Sequence, residues 1–96
     1  MTYKLAFKTS AQREWNKLTP ALKAQFKQKL RQRLDQPHVA SAALRGGRNL
    51  YKIKLKTLGY RLVYEVSESS ITVIVIAVGK REKNKIYRLA IERTKN

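Results

Sequence analysis

The chain contains no cysteine, which excludes disulfide frameworks and thiolate zinc sites and points to a reducing compartment. It has one histidine, His38, directly after Pro37 in a stretch with no helical or strand periodicity. A lone imidazole makes neither a metal site nor a nucleophile triad, so His38 reads as a surface residue. Acidic residues are scarce: Glu14, Asp35, Glu65, Glu68, Glu82 and Glu92 are the complete set. They are scattered, without D-x-D or E-x-x-H spacing, which argues against a Mg²⁺-dependent nuclease. No metal and no cofactor is expected. No glycine-rich phosphate loop follows a strand, and Gly46-Gly47 reads as turn punctuation. The longest apolar run, Val73 to Val78, falls far short of the ~18 residues of a membrane span, and the opening MTYKLAFK has no apolar signal core. The expectation is a soluble, cytoplasmic protein without membrane contact.

What is abundant is positive charge. Twenty-two Lys and Arg against six Asp and Glu give a formal net charge of +16 on 96 residues. Self-repulsion on this scale implies an anionic partner, nucleic acid first and an acidic protein second. The length fits one domain over residues 1–96, enough to bury somewhat over ~60% of the unfolded surface around one core.

Along the chain, Tyr3, Leu5 and Phe7 alternate with Lys4, Ala6 and Lys8 as in a strand. Thr9 or Ser10 then caps a helix to about Leu18, with Trp15 and Leu18 inward. Thr19-Pro20 is a cap followed by proline at the first helical position. Leu22, Phe26, Leu30 and Leu34 carry this second helix to about Gln36, where Pro37 closes it; its outer face holds Lys23, Lys27, Lys29, Arg31 and Arg33. Residues 38–48 read as a loop. Leu50 to Val66 reads as a hairpin turning at Thr57-Leu58-Gly59, with Tyr51, Ile53 and Leu55 on one face and Lys52, Lys54 and Lys56 on the other. Ile71 to Val78 is β-branched and apolar on both faces, as in the middle of a sheet, and Gly79 ends it. Residues 84–96 read as a weak C-terminal helix or tail with Ile86, Leu89 and Ala90 as a short apolar seam. The order βααβββα predicts an α+β domain: a mainly antiparallel four-stranded sheet with a helical hairpin on one face. The other face is expected to stay open, with the lysines directed towards it.

The basic residues gather around the hairpin: Lys52, Lys54, Lys56, Arg61, Lys80 and Arg81, with Arg45 and Arg48 upstream. Like charges side by side destabilise a sheet. The bland reading is a solvated basic face; the sharper ones are nucleic-acid binding and catalysis. Tyr87 favours binding, since a ring close to cations can stack on a base. Chemistry is feasible too. Cleavage of RNA by its own 2′-OH needs a base, charge neutralisation at the pentavalent phosphate and an acid for the 5′-oxygen. A lysine among cations gives up its proton more readily, and arginine grips two phosphate oxygens at once.

Tyr51-Lys52-Ile53-Lys54-Leu55, Gly59-Tyr60-Arg61-Leu62-Val63-Tyr64, Val78-Gly79-Lys80-Arg81-Glu82 and Tyr87 together resemble the RelE family of bacterial toxins. Glu14-Trp15-x-Lys17-Leu18 and Leu44-Arg45-Gly46 fit as well, so the resemblance spans about Tyr3 to Tyr87. Before the arginine of L-R-G this chain has Ala43 where the family often has lysine. The resemblance implies a RelE/ParE-like fold and the toxin of a type II toxin–antitoxin module. It implies a metal-independent endoribonuclease that enters the ribosomal A site on the small subunit and cuts mRNA there. By position, Lys54 corresponds to the general base, and Lys52 and Arg61 to the pair that holds the phosphate. Arg81 corresponds to the proton donor or charge stabiliser, and Tyr87 to the stacking residue. Arg45, Arg48, Lys56 and Lys80 are then expected to contact RNA more broadly. The implied partners are a RelB-like antitoxin, acidic at the contact, and operator DNA only through the toxin–antitoxin complex. An expected inhibitory route is displacement of the weak C-terminal helix. The rivals are a gyrase-poisoning toxin of the same fold and a non-enzymatic RNA-binding module.

Overall fold

The apolar, β-branched stretch after the last turn forms β4 (Thr72–Lys80), the longest strand. The computed structural model, which describes residues 2–55, 59–80, 82 and 85–95, places β4 inside a four-stranded sheet. β1 (Lys4–Phe7) lies on one side of it, and β3 (Tyr60–Ser67) and then β2 (Leu50–Leu55) lie on the other. The hairpin pairs as its alternation predicts, from Leu50 opposite Glu65 to Leu55 opposite Tyr60. Lys56 and Arg81, and the turn residues Thr57 and Leu58, lie outside the described residues. β3 and β4 are antiparallel and β1 and β4 parallel, so the sheet is mixed with antiparallel pairing in the majority. Ile71 belongs to the turn rather than the strand: its φ of 51° is a left-handed backbone that β-branched residues rarely adopt.

Two helices cover one face. α1 (Thr9–Asn16) starts after Lys8 without a side-chain cap, so neither Thr9 nor Ser10 plays that part. α2 (Pro20–Asp35) begins as its sequence signals, with the Thr19 hydroxyl accepting from the Leu22 amide at 3.3 Å and Pro20 in the first turn. Trp15, Leu22, Phe26 and Leu30 are buried against Ile53, Leu55, Leu62, Tyr64, Val73, Val75 and Val78. Burial of a side chain such as Phe26 or Leu30 contributes about 1.5–3 kcal/mol.

The opposite face is not open, contrary to the expectation from the element order. α3 (Lys85–Arg93) lies on it, and Ile86 and Ala90 join Leu44, Leu50, Val63, Ile76 and Ala77 in a second, smaller core. A bulge makes room for this. The β3–β4 register slips between Val63 and Tyr64, paired with Ala77 and Val75, so Ile76 is an extra residue in β4. Ile76 and Ala77 both end in the α3 core, while Val75 and Val78 stay in the other, a re-aiming that a single bulge performs.

α3 is held at its far end by ions. β1 stops pairing with β4 at Val75, which leaves the next part of the β4 edge without a strand. The Glu14 carboxylate accepts from the Val78 amide at 3.0 Å. Arg93 donates to the Ile76 carbonyl at 2.8 Å and grips Glu14 through both terminal nitrogens at 2.9 and 3.0 Å. The ion pair thus replaces a strand at an exposed edge. The Lys8 ammonium adds a 2.7 Å bond to the Arg93 carbonyl, a favourable position for a cation at a helix C-terminus.

Candidate functional site

Strand alternation decides which basic residues meet. Side chains directly opposite on paired strands share a face, so Lys54 and Arg61, which are register partners, point the same way, as do Lys52 and Val63. Val63 belongs to the α3 core. Lys52, Lys54 and Arg61 therefore stand on the α3 face, beside the helix that carries Tyr87. Gly79 lies opposite Arg61, next to the Ile86 side chain of α3.

Arg61 is the centre of the arrangement. It is only 8% exposed, and it is the one charged residue among those described that is buried to this degree. Its Nε donates to the Tyr87 hydroxyl at 3.1 Å and its Nη1 to the Tyr60 carbonyl at 3.0 Å. No described carboxylate lies within ion-pair distance of it; the described ion pairs are His38–Glu68 and Arg93–Glu14. The Lys52 ammonium stands 5.5 Å from the centre of the Tyr87 ring, within cation–π range. One tyrosine is thus held at its hydroxyl by an arginine and at its ring by a lysine. Around Lys52 and Tyr87 a cavity of about 410 Å³ is lined by Ala43, Leu44, Arg45, Arg88 and Ile91 as well. It offers an apolar floor for a flat ring and cations for a phosphate, the combination that single-stranded RNA requires.

The structure brings together Lys52, Lys54, Arg61 and Tyr87, with Arg45 at the rim. Lys80 is elsewhere. It pairs with Tyr60 and its ammonium lies 5.9 Å from that ring, and Tyr60 packs on the α1–α2 core. Lys80 therefore leaves the sheet on the side away from Arg61. Arg48 is exposed, in the bend before β2, and does not line the Tyr87 cavity.

Two residues at or beside the site were not among the candidates that the sequence offers. Arg88 lines the Tyr87 cavity. Arg33 of α2 donates to the Lys52 carbonyl at 3.2 Å and to the Tyr64 hydroxyl at 2.9 Å. Tyr64 is fully buried and donates in turn to the Pro37 carbonyl at 2.7 Å. Burial pushes the Tyr64 phenol up, and the Arg33 hydrogen bond and charge counter part of that. Arg33 so fixes the backbone of Lys52 at the outer edge of the sheet. Its signal was present in the sequence: Lys29 and Arg33 are four apart and share a helix face. Away from the site, His38 is exposed, as expected, and has partners of its own. Its Nδ1 is 2.8 Å from the Tyr51 hydroxyl and its Nε2 contacts Glu68, which also accepts from the Tyr3 hydroxyl at 3.0 Å. These bonds, His38 first and Tyr3 second, hold the Glu68 carboxyl below its ordinary value.

Residues 5–85 match a family described as the ParE toxin of type II toxin–antitoxin systems, parDE. The chain is 44% identical over 93 residues to the mRNA interferase toxin RelE of Escherichia coli strain K12, covering 97% of this chain and 98% of that one. Among solved structures it is similar to a free E. coli RelE toxin carrying two arginine-to-alanine substitutions, with a TM-score of 0.90, 42% identity and coverage of 98% and 99%. It is also similar to the toxin in the intact E. coli RelBE toxin–antitoxin complex, with a TM-score of 0.81, 45% identity and coverage of 83% and 98%. By sequence across almost its whole length and by fold, the chain belongs to the RelE-like toxins of this type II toxin family.

Proposed function

We propose that this protein is the toxin of a type II toxin–antitoxin module and an endoribonuclease that cuts mRNA in the ribosomal A site by attack of the 2′-OH. The observation that carries this reading is Arg61: a buried guanidinium held by a tyrosine and a carbonyl, with cationic neighbours and no described carboxylate partner. A scissile phosphate would supply the missing anion. Lys54, opposite Arg61, would take the proton of the 2′-OH. Arg61 and Lys52 would hold the non-bridging oxygens as charge develops in the transition state, where fixed donors contribute most to rate. Tyr87 would stack on a base and set the angle of the sugar. Arg81, from the same basic constellation in the sequence, would protonate or stabilise the departing 5′-oxygen. Support comes from the name of the relative described above, an mRNA interferase.

The proposed partner is a cognate antitoxin, acidic where it touches this basic surface, as suggested by the RelBE complex of a toxin 45% identical. A fitting route of inhibition is removal of α3, which would separate the Tyr87 hydroxyl from Arg61 and would have to break the Arg93–Glu14 pair. A second reading, a gyrase-poisoning toxin of the same fold, draws on the ParE description of the family.

The deciding measurement is mRNA end-mapping with programmed ribosomes, beside the same RNA alone. Cuts inside the A-site codon only with ribosomes are expected. No cuts in either tube from folded protein would overturn the ribonuclease reading in favour of the gyrase one.

A further inference from the structure

The outer edge of β2 carries a second concavity, of whose lining the proposed chemistry uses Lys52 and Lys54 alone. The edge is closed at its start: Leu44 donates to the Leu50 carbonyl at 2.9 Å, Ala43 bridges to Tyr51, and Arg33 takes the Lys52 carbonyl. Beyond that point a recess of about 280 Å³ opens between α2, the short 3₁₀ turn Ala40–Ala42 and β2. Lys29, Arg33, Ser41, Ala42, Lys52 and Lys54 line it. Four of these six are cations and none is acidic.

Three features make this more than another basic patch on a basic protein. It is concave and lined by four cations, so an anion inside it would lie near several of them at once and relieve their mutual repulsion. Arg33 is fixed in place, since both of its described hydrogen bonds come from Nη1, which leaves Nε and Nη2 without a partner among the described residues. A planar guanidinium held on one side and free on the other suits a phosphate. Finally, the recess is continuous with the proposed site, because Lys52 lines both this recess and the Tyr87 cavity. A strand whose base lies on Tyr87 and whose phosphate meets Lys52 and Lys54 is led across the edge of β2 into it.

We propose that the recess lined by Lys29, Arg33 and Ser41 is a second phosphate subsite, which takes the mRNA backbone phosphate next to the scissile one and so fixes the register of the cut. This rests on the ribonuclease reading. Lys29 is exposed on α2, where alanine is well tolerated by a helix. The test is cleavage on programmed ribosomes with mRNAs that carry one neutral methylphosphonate at each linkage flanking the cut in turn. At one flanking linkage the neutral substitution should lower kcat/KM of the unsubstituted protein about tenfold, mainly through KM. Lys29→Ala should do the same on natural mRNA, and Lys29→Arg should restore it. Together, substitution and methylphosphonate should cost no more than either alone, since both remove the same contact. Multiplying effects at every linkage would overturn the subsite; so would a Lys29 contact with ribosomal rather than messenger phosphate, which gives that result. Loss of all cutting by the unsubstituted protein would refute the ribonuclease reading instead. The recess is then read from binding of an uncleavable 2′-O-methyl trinucleotide, where Lys29→Ala should reduce the salt dependence by about one unit. An unchanged slope would overturn the subsite there too.

Discussion

Two arginines are held in this fold in opposite ways. Arg93 is gripped by both oxygens of Glu14 and also satisfies the Ile76 carbonyl; its charge is neutralised within the chain, and it closes an edge. Arg61 is more deeply buried, yet its partners are a phenol and a carbonyl, and its opposite neighbour across the strands is Lys54. A buried charge without a counter-ion destabilises a fold. The first arginine therefore belongs to the architecture, and the second is an expense of the architecture that, on the proposed function, an outside anion would offset. The contrast gives a criterion for telling structural from functional charge in a molecule where charge alone, at +16, discriminates nothing.

The largest effect expected from breaking the comparison is on the rate at Arg61. Arg61→Ala and Lys54→Ala should remain folded, with circular dichroism near that of the parent, while cleavage falls ~10²-fold or more. Wild-type cleavage in both variants would remove the proposed mechanism. The mirror experiment is Glu14→Gln, which leaves Arg93 without its counter-ion. It should cost about 2 kcal/mol and lower Tm by roughly 8–15 °C, with faster hydrogen exchange in α3; an unchanged Tm would show that the pair closes nothing. A subtler change makes Arg61 resemble Arg93. Lys54→Glu places a carboxylate directly across from it, which should raise stability by ~0.2–1 kcal/mol and abolish cleavage. A fall in Tm would count against the view that Arg61 is short of an anion. The smallest effect concerns Glu68, a third carboxylate with partners, exposed on the surface. Its pKa is depressed from the ordinary 4.5, so its contribution is present above that value and is lost as the pH falls through the lower, folded one. The Tm difference between the parent and Glu68→Gln should therefore shrink steadily below about pH 4.5. A constant difference would mean that the His38 and Tyr3 contacts do not act on its charge.

Much of this arrangement is legible in the sequence alone. Period-two alternation in β2 assigned Ile53 and Leu55 to one face and Lys52 and Lys54 to the other, because a strand allows no other choice. Thr19-Pro20 marked a helix start by its own chemistry. The pattern failed where a feature depends on contacts distant in sequence or on a single inserted residue. Nothing local reveals that Ile76 bulges, yet that bulge sets the register that puts Gly79 across from Arg61 and Lys80 against Tyr60. Glu14 and Arg93 are 79 positions apart, so a sequence with scattered acids gave no sign that one of them joins α1 to α3. The short apolar seam of α3 read as weakness because the Arg93–Glu14 pair also holds the helix. His38 is on the surface as its sequence context suggests, but its partners, Tyr51 and Glu68, were not legible for the same reason: they come from other strands and turns.

The strand order also bears on how the molecule comes into being. β2 and β3 are neighbours in sequence and can close as a local hairpin, whereas β1 waits for β4, its partner in the finished sheet, and non-local pairings of this kind form late. Tyr87 rides on α3, which follows β4 in the chain. Synthesis proceeds from the amino terminus, so the lysines and Arg61 emerge well before the ring they work beside and before the helix that holds it. On the proposed function, this order would act as a safeguard written into topology. A nascent chain would complete the Arg61–Tyr87 pair only once nearly all of its length has been made.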